Sequence, residues 1–125
     1  GACVTESRLA LGVWGEDRAV SFLRENGFKI LERNYRAPVG EIDIIAQNRL
    51  HIIFVEVKTR RGTAFGTPQE AVGVRKQQQI IRTAQWYLQQ KKTKLQPRFD
   101  VVAILCQSDG PPQITHLVDA FSLGG

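Results

Sequence analysis

Two short segments of this sequence combine residue types suited to handling a phosphate ester. They are Gly40-Glu41-Ile42-Asp43 and, after twelve intervening residues, Glu56-Val57-Lys58. Asp43 is enclosed by Ile42, Ile44 and Ile45, and Glu56 stands between Val55 and Val57, so each carboxylate interrupts a run that otherwise reads as core. A third, Glu16, falls on the apolar stripe of a helix at positions 9, 13, 16, 20 and 23. Carboxylates in apolar settings repel one another and protonate unless a cation neutralises them. A hard divalent ion, magnesium with manganese as a substitute, accepts oxygen ligands and keeps several waters, so two or three carboxylates and one backbone carbonyl suffice. Lys58 shares a strand face with Glu56 and can reach a phosphate oxygen or an attacking water. The chemistry implied is metal-assisted hydrolysis of a phosphodiester. The alternative reading leaves these charges at strand ends in water, in ion pairs that contribute little.

The elements that must position these groups follow from periodicity. Leu9, Val13, Val20 and Leu23, with Ala19 and Phe22 beside them, predict an amphipathic helix that Asn26-Gly27 stops. Phe28 to Arg36 reads as a strand, and Ala37-Pro38-Val39-Gly40 turns the chain into a second, Glu41 to Ala46. Gln47-Asn48-Arg49 turns it again into Leu50 to Lys58, predicting an antiparallel pair. Strict alternation puts Glu41 and Asp43 on one face, with Ile42 and Ile44 on the other. Thr67-Pro68-Gln69-Glu70 has the cap, the proline and the acid of a helix start, leading through a break at Gly73 to Ile80, Ile81, Ala84, Tyr87 and Leu88. Phe99 to Cys106 reads as a strand buried on both faces, and Gln113 to Val118 as a last short one. Residues 1–125 are expected to form a single α/β domain, residues 1–6 being flexible: a mixed central sheet flanked by helices in the order α-β-β-β-α-β(-β). The second helix crosses over between strands that pair in parallel.

Gly40-Glu41-Ile42-Asp43 followed by Glu56-Val57-Lys58, with helical Gly15-Glu16 ahead of them, resembles the PD-(D/E)xK nuclease core, the restriction-endonuclease-like fold. Ile42 stands where that pattern has proline. Asn34-Tyr35-Arg36, Phe54 to Arg60, Phe65-Gly66, Lys76 and Arg98-Phe99-Asp100 look like the YraN-type family of small bacterial proteins, and the resemblance runs from about Gly12 to Leu117. That family is similar to archaeal Holliday junction resolvases. The resemblance implies a magnesium-dependent endonuclease in which Glu16, Asp43 and Glu56 hold the metal, Val57 lends its carbonyl and Lys58 is the catalytic lysine. Asp43, Glu56 and Lys58 are thus the expected catalytic set. It implies DNA as the partner, branched DNA in particular, and a homodimer, because a junction has two strands to cut. Glu41 belongs to the motif and is expected to support the site from behind. A nucleic-acid-binding module that keeps the fold without turning over is the competing class.

Charge distribution favours a polyanionic partner. The net charge is +5, but Lys58 to Arg98 holds ten basic residues against one acid, and the remainder holds seven basic against eleven acidic. The molecule is therefore polarised, with +9 on one stretch and −4 on the rest. Arg60, Arg61, Arg75, Lys76 and Arg82 are the expected phosphate contacts, and Gln69 could orient a ligand or water. Trp14, Tyr35 and Trp86 read as core rather than as base-stacking groups. Neither His51 nor His116 has a partner at catalytic spacing, which argues against a histidine-metal nuclease. Cys3 and Cys106 have no metal-ligand spacing and read as inert thiols. No apolar run approaches the roughly 20 residues of a membrane helix, and no secretory pattern opens the sequence, so the cytoplasm is the expected address.

Overall fold

A computed structural model describes residues 7–61 and 72–122. The chain runs α1 (Arg8–Glu25), β1 (Lys29–Ala37), β2 (Gly40–Gln47), β3 (His51–Arg61), α2 (Val74–Gln90), β4 (Gln96–Cys106) and β5 (Gln113–Phe121). The five strands form one sheet in the order β1-β2-β3-β4-β5. β3 and β4 pair in parallel and the other neighbours are antiparallel. α2 is the crossover that a parallel pair requires. The expected mixed sheet flanked by helices is therefore observed. Residues 1–6 and the Thr67-Pro68-Gln69-Glu70 helix start lie outside the described residues. α2 begins at Val74 behind an N-cap at Gly73.

Ser7 caps α1 by accepting the Ala10 N–H at 3.0 Å, satisfying one of the first-turn donors. At the other end Gly27 takes φ +88, with its N–H on the Arg24 carbonyl and the Phe28 N–H on that of Leu23. This is a Schellman closure, which favours glycine because a Cβ is strained in that conformation. Each helix covers one side of the sheet. α1 packs Ala19, Val20 and Leu23 on Ile44, Ala46, Ile53, Val55, Val102 and Ile104. α2 packs Ile80, Ala84 and Tyr87 on Ile42, Ile45, Ile52, Phe54, Phe99 and Val101. The central strands β3 and β4 are thus apolar on both sides, as central strands of a covered sheet are.

Three expectations need correction. Ile42 and Ile44 do not share a face: Ile42 packs under α2 and Ile44 under α1. Alternation breaks on β1 as well, where Arg33 reaches Glu16 of α1 while Tyr35 meets Tyr87 of α2 edge-on at 5.1 Å. Between them Asn34 adopts φ +52, a left-handed residue that reverses the facing of the strand. Leu9 and Val13 are not core but 82% and 57% exposed, and burial in α1 starts only at Gly15. Among the described residues, Leu9 and Val13 border an open cavity beside β3 and are not packed onto the sheet. Finally, Cys106 is disulfide-bonded rather than an inert thiol.

Gly15 is where α1 touches β3. A Cβ there would overlap the Thr59 side chain. Gly15→Ala is expected to destabilise the fold by about 1–3 kcal/mol through overpacking, read as a lowered denaturant midpoint. Thr59→Gly in the same chain should recover part of the loss; no recovery would place the cost elsewhere.

Candidate metal centre

β2 and β3 pair as far as Ile44 opposite Val55. Beyond that point the Val57 N–H is taken by the Asp43 carboxylate, Oδ2 accepting at 2.8 Å, in place of a backbone carbonyl. In an extended strand the N–H and C=O of one residue project to the same edge. The Val57 carbonyl therefore lies on the Asp43 side, beyond the last paired residues of the two strands. The break in alternation at Asn34 and Asp43 is what turns this carboxylate toward the neighbouring strand.

Glu56 is 4% exposed, and its carboxylate lies near enough to Asp43 to act on that group's ionisation. Burial first, and then the Glu56 charge, push the Asp43 carboxyl up to about 7, against the pull of the Val57 amide and Lys76. Two carboxyl groups confined together hold one proton where water would leave both ionised. Lys58 Nζ stands 3.4 Å from Glu56 Oε2 and Lys76 Nζ, reaching in from α2, 3.9 Å from the same atom. The oxygen donors of Asp43, Glu56 and the Val57 carbonyl are of the kind a hard divalent ion accepts.

Glu16 lines the same cavity as Asp43, Val57 and Lys58, a space of about 580 Å³ between α1 and β3 that also takes in Arg60 and Arg61. Glu16 is, however, already held: Arg33 Nε donates to its Oε1 at 3.1 Å and Asn34 Nδ2 at 2.9 Å. Among the described residues no three carboxylate, histidine or cysteine groups approach closely enough to hold one ion. Glu16 thus stands apart from the Asp43–Glu56 pair, its charge met by a guanidinium. The partner required of a carboxylate on an apolar stripe exists, but it is Arg33.

The other expected residues separate similarly. Glu41 is exposed and pairs with Arg36 at 3.6 Å beside the β1–β2 turn. Arg75 and Arg82 are exposed on α2 and do not line the cavity. Gln69 lies outside the described residues. Trp14 and Tyr35 pack against the core, whereas Trp86 is 37% exposed.

Sequence reasoning missed a second polar cluster. Asp100 is fully buried, clamped by Arg98 through two hydrogen bonds of 2.9 Å and reached by His116 Nε2 at 2.7 Å and the Asp119 N–H at 3.0 Å. His116, read as having no partner, is therefore bonded to Asp100 from the adjacent strand and packed edge-on to Phe22 and Phe28. Burial alone would raise the Asp100 pKa, but the bonds from His116, Arg98 and Asp119 outweigh it and hold the group below its ordinary value. Asp100→Ala should cost about 3–5 kcal/mol because it strands a buried guanidinium. The ionised group stabilises the fold above its unfolded pKa, and this contribution is lost as pH falls through the depressed folded value. Chemical denaturation at pH 7 checks the size of the effect; a loss under about 1 kcal/mol would mean that Arg98 finds water instead.

Fold and site together define a small α/β protein with one mixed sheet, a confined carboxylate pair and two lysines beside it. The family model described as "Uncharacterised protein family UPF0102" matches residues 15–104, and the chain belongs to that family. It is 54% identical over 123 residues to a UPF0102 protein of Syntrophotalea carbinolica, covering 98% of this chain and 99% of the relative. A UPF0102 protein of Geotalea daltonii is 53% identical over 90% of each chain, and one of Dictyoglomus thermophilum 48% identical over 89% of this chain and 96% of its own. Among the described residues no helix is long and apolar enough to cross a membrane.

Proposed function

We propose that the protein is a metal-dependent endonuclease that hydrolyses phosphodiester bonds in DNA. The observation that carries this reading is the confinement of Asp43 against Glu56, with the Asp43 carboxyl raised to about 7 and Lys58 3.4 Å from the Glu56 carboxylate. A structural pair of acids would gain nothing from such an arrangement, since each raises the cost of ionising the other. Asp43, Glu56 and the Val57 carbonyl would hold a magnesium or manganese ion. The ion would supply Lewis-acid polarisation of the phosphoryl oxygen and a more acidic water.

The remaining work falls to the chain's own side chains. Lys58, at 23% exposure, reaches the cavity and can hold a non-bridging phosphate oxygen or orient the attacking water. Lys76 offsets the Glu56 charge from the far side of the sheet. Arg60 and Arg61 line the mouth, where a phosphate backbone gains from cationic neighbours. A homodimer acting on branched DNA is the fuller form of this proposal, as the resemblance to junction resolvases implies.

The test is incubation with labelled duplex, flap and four-way junction DNA in magnesium or manganese, alongside Asp43→Ala and Lys58→Ala. Metal-dependent cleavage lost in both variants supports the site. Cleavage surviving in both rejects it. Salt-dependent binding without cleavage of any substrate points to a binding module instead.

A further inference from the structure

We infer that the cavity between α1 and β3 takes an unpaired stretch of nucleic-acid strand, phosphates along its basic side and a base against Leu9 and Val13. This deepens the endonuclease reading and rests on it for the orientation of the strand toward Asp43. Arg8, Arg33, Lys58, Arg60 and Arg61 line the cavity against the carboxylates of Glu16 and Asp43. The lining is therefore predominantly cationic and complements a phosphate chain. Leu9 and Val13 belong to the same lining, yet are 82% and 57% exposed. Four residues apart on α1, they lie on one side of the helix.

The apolar ledge favours a separated strand over an intact duplex. A duplex presents mainly phosphates and polar groove edges, which gain little from Leu9 and Val13. An unpaired base exposes an apolar face, and contact with such a face suits a cationic groove that follows the backbone.

The experiment compares fluorescence anisotropy of a labelled single strand and of the corresponding blunt duplex, in EDTA so that nothing is cut. Parent protein, the double variant Leu9→Gln/Val13→Gln and Val118→Gln are titrated in parallel. Glutamine keeps helix propensity at two solvent-exposed sites, and circular dichroism checks the fold. Val118, 50% exposed on β5 and outside the cavity, serves as the control. The parent should prefer the single strand by about fivefold, the scale of the apolar area that two aliphatic side chains can cover. The double variant should lose most of that preference while the control keeps it. A parent that binds duplex at least as tightly, or a double variant with the full preference, overturns the inference. A strand preference without cleavage in manganese would remove the nuclease reading and leave the cavity assignment standing.

Discussion

Lys58→Ala is expected to slow phosphodiester cleavage by about 10²–10⁴-fold while changing stability little. The side chain is partly exposed, and the buried Glu56 that it meets at 3.4 Å keeps a second cation, Lys76 at 3.9 Å, when Lys58 is removed. Its proposed task concerns the reacting phosphate, so the loss should appear in the rate and not in the fold. Lys58→Arg separates two roles. Arginine keeps the charge but cannot give up its proton near neutral pH. If Lys58 serves only to hold a phosphate oxygen, arginine should restore much of the activity; if it moves a proton, arginine should stay close to alanine. Single-turnover rates in manganese, with melting temperatures measured on the same samples, decide between them. A parallel fall in rate and melting temperature for Lys58→Ala would show a structural residue.

In the absence of metal, stability should fall as pH rises from about 4 to about 8. The Asp43 carboxyl ionises near 3.8 when free and near 7 in the fold. Below the lower value it is protonated in both states and contributes nothing to the pH dependence. Between the two the folded state binds the additional proton, so raising the pH removes stability. The decline should appear as a Tm that falls across that window and levels off above it. Asp100 acts oppositely at the acid end, so the metal-free protein should be most stable in mildly acidic solution.

Asp43→Asn should flatten the decline and melt above the parent at pH 8 in EDTA. Its amide can donate to Glu56 without a titrating proton, while its oxygen still accepts from Val57. Manganese or magnesium should stabilise the parent at pH 8, by about 2.7 kcal/mol when present at 100 times its dissociation constant, read as a raised melting temperature, and should leave Asp43→Asn almost unmoved. A flat profile for the parent between pH 5 and pH 8 would mean that the two acids are not confined as described.

Much of the fold and part of the site are legible in the order of residues alone. The element order, the antiparallel β2–β3 pair, the parallel crossover through α2 and the stop at Asn26-Gly27 were legible, because hydrophobic period and turn chemistry are local properties. Asp43, Glu56, Val57 and Lys58 could be singled out for a related reason: charges that interrupt apolar runs are visible residue by residue, and a short hairpin leaves few ways to arrange them. Gln69 was singled out on similar grounds but falls outside the described residues.

Other features depended on contacts between distant segments. Glu16 answers to Arg33 and Asn34, seventeen and eighteen residues away, and His116 answers to Asp100 across β4 and β5. Leu9 and Val13 keep the spacing of a buried stripe, yet they border an open cavity beside β3 and stay exposed. The reversal at Asn34 requires one residue in a left-handed conformation, which periodicity does not register. Residue type and hydrophobic period single out Asp43 and Glu56 and the strands that carry them. Tertiary structure decided that two of the three expected carboxylates meet, because a carboxylate's partner is whatever packing places against it, and neither helix orientation nor strand facing is encoded in spacing alone.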